Sequence, residues 1–280
     1  GSPVTFTATG TVGAANKLLF VQPPTDAVAG VGISPSVTEE VTDVNGNRVT
    51  GASDSITLAI GTNPGSGTLS GTKTVSASSG LATFAGLSIN KAGIGYTLTA
   101  SATSRTGATS STFSIAAGVA STIAVNAGNG QSATAGSAVA TDPSVLVTDA
   151  NGNPKAGVSV TFAVATGGGT VVPTSAVTTD ASGIATVTSW TLGTTAGANS
   201  LTATSAGLTG SPVTFTATGT AGAAAEVQLT MTPTTSLASG TTRTLTATLK
   251  DANGNTLTTS GTTVTFAKSG SGAGTVSGLG

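Results

Sequence analysis

Asp149-Ala-Asn-Gly-Asn153 is followed, after Pro154-Lys-Ala-Gly157, by Val158-Ser-Val-Thr-Phe-Ala163. In the second run Val158, Val160 and Phe162 alternate with Ser159, Thr161 and Ala163. A period of two belongs to a strand with one buried face, not to a helix. The Asn-Gly pair before it is the strongest two-residue hairpin signal, because both central positions of the favoured turn need φ > 0. Asp149 at the head of the turn can bond backbone amides across it. The stretch therefore predicts a strand, a tight turn and a second strand.

Working outward, the same grammar recurs. Leu245, Ala247 and Leu249 alternate with Thr246, Thr248 and Lys250. Thr and Val dominate such runs, and both suit a pleated, half-buried surface. Strands of about five to eight residues recur roughly every 10–15 residues, separated by Gly, Asn, Asp and Pro. No stretch combines caps with helical periodicity. The expectation is all-β, with about seven strands in a two-sheet sandwich.

The chain also repeats itself. Ser2–Gly10 recurs letter for letter at Ser211–Gly219. Asp-x-Asn-Gly-Asn occurs at Asp43–Asn47, Asp149–Asn153 and Asp251–Asn255, spacings of 106 and 102 residues. A Gly-rich step follows each: Gly65–Leu69, Gly167–Val171 and Gly272–Val276. Gly80-Leu-Ala-Thr-Phe84 matches Gly183-Ile-Ala-Thr-Val187. A period of about 104 residues is that of a whole small domain, not of a solenoid repeat. Residues 1–10 are then the last strand of a preceding domain. Residues 11–117 and 118–221 are complete units, and 222–280 is the first half of another. Connectors of a few residues leave little freedom between neighbours.

The run Val145–Phe162 resembles the bacterial immunoglobulin-like domains of the invasin/intimin type. So do Gly167-Gly-Gly-Thr170, Thr179–Val187 and Trp190-Thr-Leu-Gly193. The resemblance covers 118–221 closely and 222–280 as a half-domain. It is looser over 11–117, where Asn47 lacks a following Pro and Leu87–Gly95 departs from the pattern. It implies a rod of tandem Ig-like sandwiches on a bacterial surface, with adhesive chemistry carried by a distal tip. No tip domain lies in these 280 residues, so no receptor-binding residue is carried over.

Composition removes many functions. Without Cys or His there is no Cys/His zinc site, Ser-His-Asp triad or thiol nucleophile. Charged residues are 7% of the chain, against about 25% in typical domains. Nine basic residues against ten acidic ones give no electrostatic footprint for nucleic acid or anionic lipid. Mean hydropathy is +0.30, yet no apolar run approaches the ~18–20 residues of a spanning helix. Nine aromatic residues, seven Phe, one Trp and one Tyr, cannot form the girdles of a membrane barrel.

Each candidate site meets a plainer alternative. Asp-x-Asn-Gly-Asn resembles the start of a calcium loop, but its Gly is fourth, not sixth, and position twelve from Asp149 is Val160. The expectation is a turn, with calcium dispensable. Trp190 is a conceivable sugar platform, but its unit offers only Phe162 and Phe215 beside it. It is expected in the core, with a β-bulge between Val187 and Trp190, and another between Phe84 and Leu87, restoring the inward face. Thr-x-Thr runs such as Thr5–Thr9 and Thr244–Thr248 lack the flat ladder that an ice-binding array needs. Their hydroxyls remain open to O-linked glycans; no Asn-x-Ser/Thr sequon exists. Lys17, Lys155 and Lys250 are the conceivable donors of an isopeptide crosslink, which needs a buried carboxylate. No catalytic, cofactor or metal site is expected.

The expected function is a non-enzymatic stalk or fibre segment of a much longer extracellular, cell-surface protein. Its partners are neighbouring repeats and other copies in a fibre or sheath. The alternatives are an adhesive binding module, a spacer of a secreted polysaccharide-degrading enzyme, or a laterally assembling sheath subunit. Further repeats of about 104 residues are expected on both sides, hence a native mass far above 26.2 kDa.

Overall fold

Thr-rich alternation becomes sheet. The run Val213–Thr220 buries Val213, Phe215, Ala217 and Gly219 and exposes the four threonines between and after them. Burying every second side chain specifies register, since a one-residue slip would turn the apolar face to water. The structure is a computed structural model that describes residues 3–7, 10–232, 234, 235, 238, 241–258 and 263–267. Among them every regular element is a strand.

The first sandwich comprises β1 (Lys17–Gln22), β2 (Ala27–Val28), β3 (Val37–Thr42), β4 (Ser55–Ile60), β5 (Leu69–Ser70) and β6 (Thr74–Ser76). It continues with β7 (Leu81–Phe84), β8 (Ser88–Ile89), β9 (Gly93–Tyr96), β10 (Leu98–Ser101), β11 (Ala108–Thr109) and β12 (Phe113–Ala116). Its sheets run β1-β3-β7 and β11-β10-β4-β6, with β2-β12-β9 and β5-β8 beside them.

The second comprises β13 (Ala120–Ala127), β14 (Gln131–Thr134), β15 (Ser144–Asp149), β16 (Ser159–Thr166) and β17 (Gly169–Val172). It continues with β18 (Val177–Thr178), β19 (Ile184–Thr186), β20 (Ser189–Leu192), β21 (Gly197–Thr204) and β22 (Val213–Thr220). Its sheets run β13-β15-β19 and β14-β22-β21-β16-β18, with β17-β20 beside them. Pairing is antiparallel except for β2 with β12 and β14 with β22. A hairpin, β23 (Ala224–Thr232) with β24 (Thr244–Asp251), follows.

Two separate cores result. One gathers Val37, Val41, Ile56, Leu58, Phe84 and Leu98 with the tilted pair Tyr96–Phe113, ring centroids 5.9 Å apart. The other gathers Val145, Val147, Trp190, Leu192 and Leu201 with Phe162–Phe215 at 6.4 Å. Each follows the two-layer logic of an Ig-like sandwich.

Two expectations are corrected. The strands are more numerous and shorter than seven per unit, because several edges pair over only two residues, as β2, β5 and β8 do. The expected bulge at Val187–Trp190 is a change of partner: β19 pairs with β15, and β20 pairs with β17. The amides of Val187 and Thr188 bond Pro143 O and Val172 O across the switch. Face alternation restarts with the new partner, so Val187 and Trp190 are both buried. The first sandwich repeats this between β7, paired with β3, and β8, paired with β5. Residues 3–7 and 10, expected within the closing strand of a preceding domain, carry no strand pairing among the described residues, and Phe6 is 91% exposed; the other strands of that domain are not in this sequence, so the expectation stands untested. Residues 1, 2, 8 and 9, and Gly272–Val276, lie outside the described residues.

Candidate functional site

The three Asp-x-Asn-Gly-Asn stretches are turns. Asp149 N–H bonds Asn153 O at 2.9 Å and Gly152 N–H bonds Asp149 O at 3.0 Å. Gly46, Gly152 and Gly254 take φ of 90°, 72° and 81°. The preceding Asn residues are not among those with positive φ. The turn is therefore type I closed by a left-handed Gly, not the expected form with two positive-φ residues.

The Asp carboxylate is the hub. Asp149 Oδ1 accepts from the amides of Asn151 (2.8 Å) and Asn153 (2.9 Å). Its Oδ2 accepts from Gly118 N (2.8 Å), in the connector, and from Asn153 Nδ2 (2.9 Å). Asp251 repeats this set with Gly222, Asn253 and Asn255. Asp43 does so with Gly13, Asn45 and Asn47. Hydrogen bonds to the charged form favour it. The Asn47 side chain and the Gly13 amide hold Asp43 down at about 2, and the Asn255 side chain and the Gly222 amide do the same for Asp251. At Asp149 burial pushes the carboxyl up, but the bonds from Asn153, Gly118 and Asn151 together outweigh it and the net shift is downward.

The fifth residue reaches further. Asn153 Nδ2 also donates to Asn90 O (3.0 Å), and its Oδ1 accepts from Ala92 N (2.9 Å). Asn255 does the same one sandwich later, donating to Thr194 O (2.8 Å) and accepting from Ala196 N (2.7 Å). Each Asn thus mimics a backbone amide unit and pairs with a carbonyl and an amide two residues apart on the preceding sandwich. At the first junction Asn151 Nδ2 bonds Ala29 O (3.2 Å) and Lys91 Nζ bonds Asn151 O (2.7 Å). A side chain on Gly30 would meet Asn151, its Cβ only 2.8 Å from Nδ2.

Core residues hold the receiving loops. Tyr96 donates its hydroxyl to Lys91 O at 2.9 Å, inside the loop that receives Asn153. A Cβ on Gly67 would lie 2.9 Å from that hydroxyl, and one on Gly65 would clash with it, which accounts for the glycines of this step. At the corresponding place, 103 residues on, buried Asn199 accepts from Gly193 N (3.1 Å) and donates to Gly197 O (3.2 Å). Two different side chains brace equivalent loops.

The other candidates separate. Trp190 is fully buried and shares its core with Val187 and Leu192. Lys17, Lys155 and Lys250 direct their ammonium groups to the carbonyls of Val44, Ala117 and Gly254. Glu39 is the buried carboxylate that crosslink chemistry would need, but neither of its oxygens has a hydrogen-bond partner among the described residues. Burial pushes it up to about 8, from an ordinary 4.5. Its neighbour Glu40 faces outward and pairs with Arg48. Among the described residues no group of three or more His, Cys, Asp or Glu is placed to hold a metal.

Sequence reasoning recognised the turns and missed the docking role of their fifth residue. The signal was the fifth Asn itself. Asp180-Ala-Ser-Gly-Ile184 forms the same Asp-headed turn, with Asp180 Oδ1 accepting from Ser182 and Ile184 amides, and needs no Asn there.

No protein-family model matches the chain, and no curated protein matches it. Solved structures do. The Escherichia coli adhesin FdeC is 21% identical over 89% of this chain and 77% of its own, with a TM-score of 0.48. Yersinia pseudotuberculosis InvD is 19% identical over 86% and 71%, with a TM-score of 0.45. Invasin, a bacterial integrin-binding protein, is 21% identical over 86% of this chain and 47% of its own, with a TM-score of 0.43. The chain thus spans about half the length of the invasin structure.

Proposed function

We propose that this chain is a non-enzymatic structural segment of a longer bacterial surface protein, in which tandem Ig-like units act as a spacer of set length. The units are residues 11–117 and 118–221, with the closing strand of one before them and the opening half of another after. The observation that carries this reading is the pairing of Asn153 and Asn255 with the preceding sandwich. A linker with no such contact would leave the modules free to swivel. Here each Asp carboxylate ties the connector amide, the turn and the docking Asn into one unit. Small-angle scattering tests the reading. Asn153→Ala combined with Asn255→Ala should shorten the mean end-to-end dimension while each sandwich keeps its melting transition. An unchanged scattering profile would remove the support for a clamped spacer.

A second reading, lateral assembly into a sheath, draws on the scarcity of charge, 7%, since charge normally keeps surfaces apart. Sedimentation that stays monomeric across a wide concentration range would count against it.

A further inference from the structure

We infer that the Asp43–Asn47 turn is a third docking face, and that its occupant is another sandwich of the same kind, joined ahead of Gly13 in the same chain. The inference rests on the clamped-spacer reading and names the partner of a face that reading leaves open. The turn is built like the other two: Asp43 gathers the amides of Gly13, Asn45 and Asn47 and fixes Asn47 Nδ2 at 3.0 Å. Its environment differs. Asn153 and Asn255 are 3% and 8% exposed, whereas Asn47 is exposed, and among the described residues both bonds of its side-chain amide go to Asp43. A preoriented amide with a free edge is the half-site whose other half the two later junctions display.

The sequence ahead of the turn supplies the identity of the occupant. Ser2–Gly10 equals Ser211–Gly219, and the match continues through the connector, Gly10-Thr-Val-Gly-Ala14 against Gly219-Thr-Ala-Gly-Ala223. In the later copy this stretch is the last strand of a sandwich, β22, followed by the connector whose Gly222 bonds Asp251. That sandwich also carries the loop that pairs with Asn255 through Thr194 O and Ala196 N. The partner chemistry is thus a backbone carbonyl and a backbone amide two residues apart, on a loop braced as Asn199 braces residues 193–197.

The test extends the full chain by placing a second copy of residues 118–210 directly ahead of Ser2, which reconstitutes an uninterrupted sandwich. The chain has no Cys, so one introduced cysteine per sandwich carries a spin label, and pulsed dipolar spectroscopy reads the distance distribution across each junction. We expect a narrow distribution between the added and the first sandwich. Asn47→Ala should broaden it. So should Ala196→Pro in the added copy alone, which removes the donating amide and leaves the Asp43 turn intact. A distribution that is broad from the start, or that neither variant broadens, overturns the docking inference. Asn153→Ala, read in the same chain across its own junction, judges the spacer reading separately: broadening there upholds it, and an unchanged width overturns it.

Discussion

Glu39 and Trp190 show what single residues contribute and what a sequence discloses about them. Glu39 sits on β3 between inward Val37 and Val41, and the same position in the second sandwich is Val145. Its folded-state carboxyl lies at about 8, above its ordinary 4.5. The folded chain therefore keeps a proton that the unfolded chain releases. The stability that Glu39 contributes to the first sandwich should be fully present below about pH 4.5 and be lost progressively as pH rises toward about 8. Glu39→Gln should flatten that slope in denaturant titrations, and a wild-type slope of zero would contradict the buried, unpaired placement. Trp190→Ala should cost roughly 3–5 kcal/mol, since it empties the largest side chain of the second core. Trp190 fluorescence reports the second sandwich and Tyr96 the first, because the chain has one of each. The burial of Trp190 was legible from its apolar neighbours. That of Glu39 was legible in principle, from the alternation Val37-x-Glu39-x-Val41, but a carboxylate at an inward position runs against the usual exposure of Glu.

At the scale of the element, the Asp-headed turn is complete without a cation. The carboxylate of Asp149 already receives four donors, so its lone pairs are committed, whereas calcium needs several converging free oxygens. Thermal melts in calcium and in chelator should coincide; a gap of more than about 5 °C would exceed what a turn alone explains. Acid should act instead. Asp43 and Asp251 lie at about 2, below an ordinary 3.8. Their contribution is fully present above pH 3.8 and is lost as pH falls through about 2. Protection of the Gly13 and Gly222 amides from exchange should persist at pH 4 and fail below about 2. The strands flanking these turns were legible because period two is a property of local sequence. The partner switch between β19 and β20 was not, since two short strands on different sheets and one bulged strand give the same apolar spacing.

For the whole molecule, the repeat period announced tandem units, but their connection was carried by side chains that look like ordinary turn residues. The two junctions are also unequal. The first joins the Asn153 pair to Asn151 Nδ2 on Ala29 O and Lys91 Nζ on Asn151 O. The second has the Asn255 pair; the place of Lys91 is taken by Thr195, and a Cβ on Gly136 would lie 3.8 Å from Asn253 Nδ2, whereas a Cβ on Gly30 would lie 2.8 Å from Asn151 Nδ2. Each net hydrogen bond is worth about 1 kcal/mol, and one from a charged donor somewhat more. Bending should therefore concentrate at the second junction. Spin labels on β16 and β24 should give a broader distance distribution than labels on β4 and β16. Lys91→Thr with Asn151→Ala should widen the first junction to match the second, with the melting of both sandwiches unchanged. Equal widths in the wild-type chain would mean that the Asn pair alone sets the stiffness, and that the lysine contact adds nothing to it.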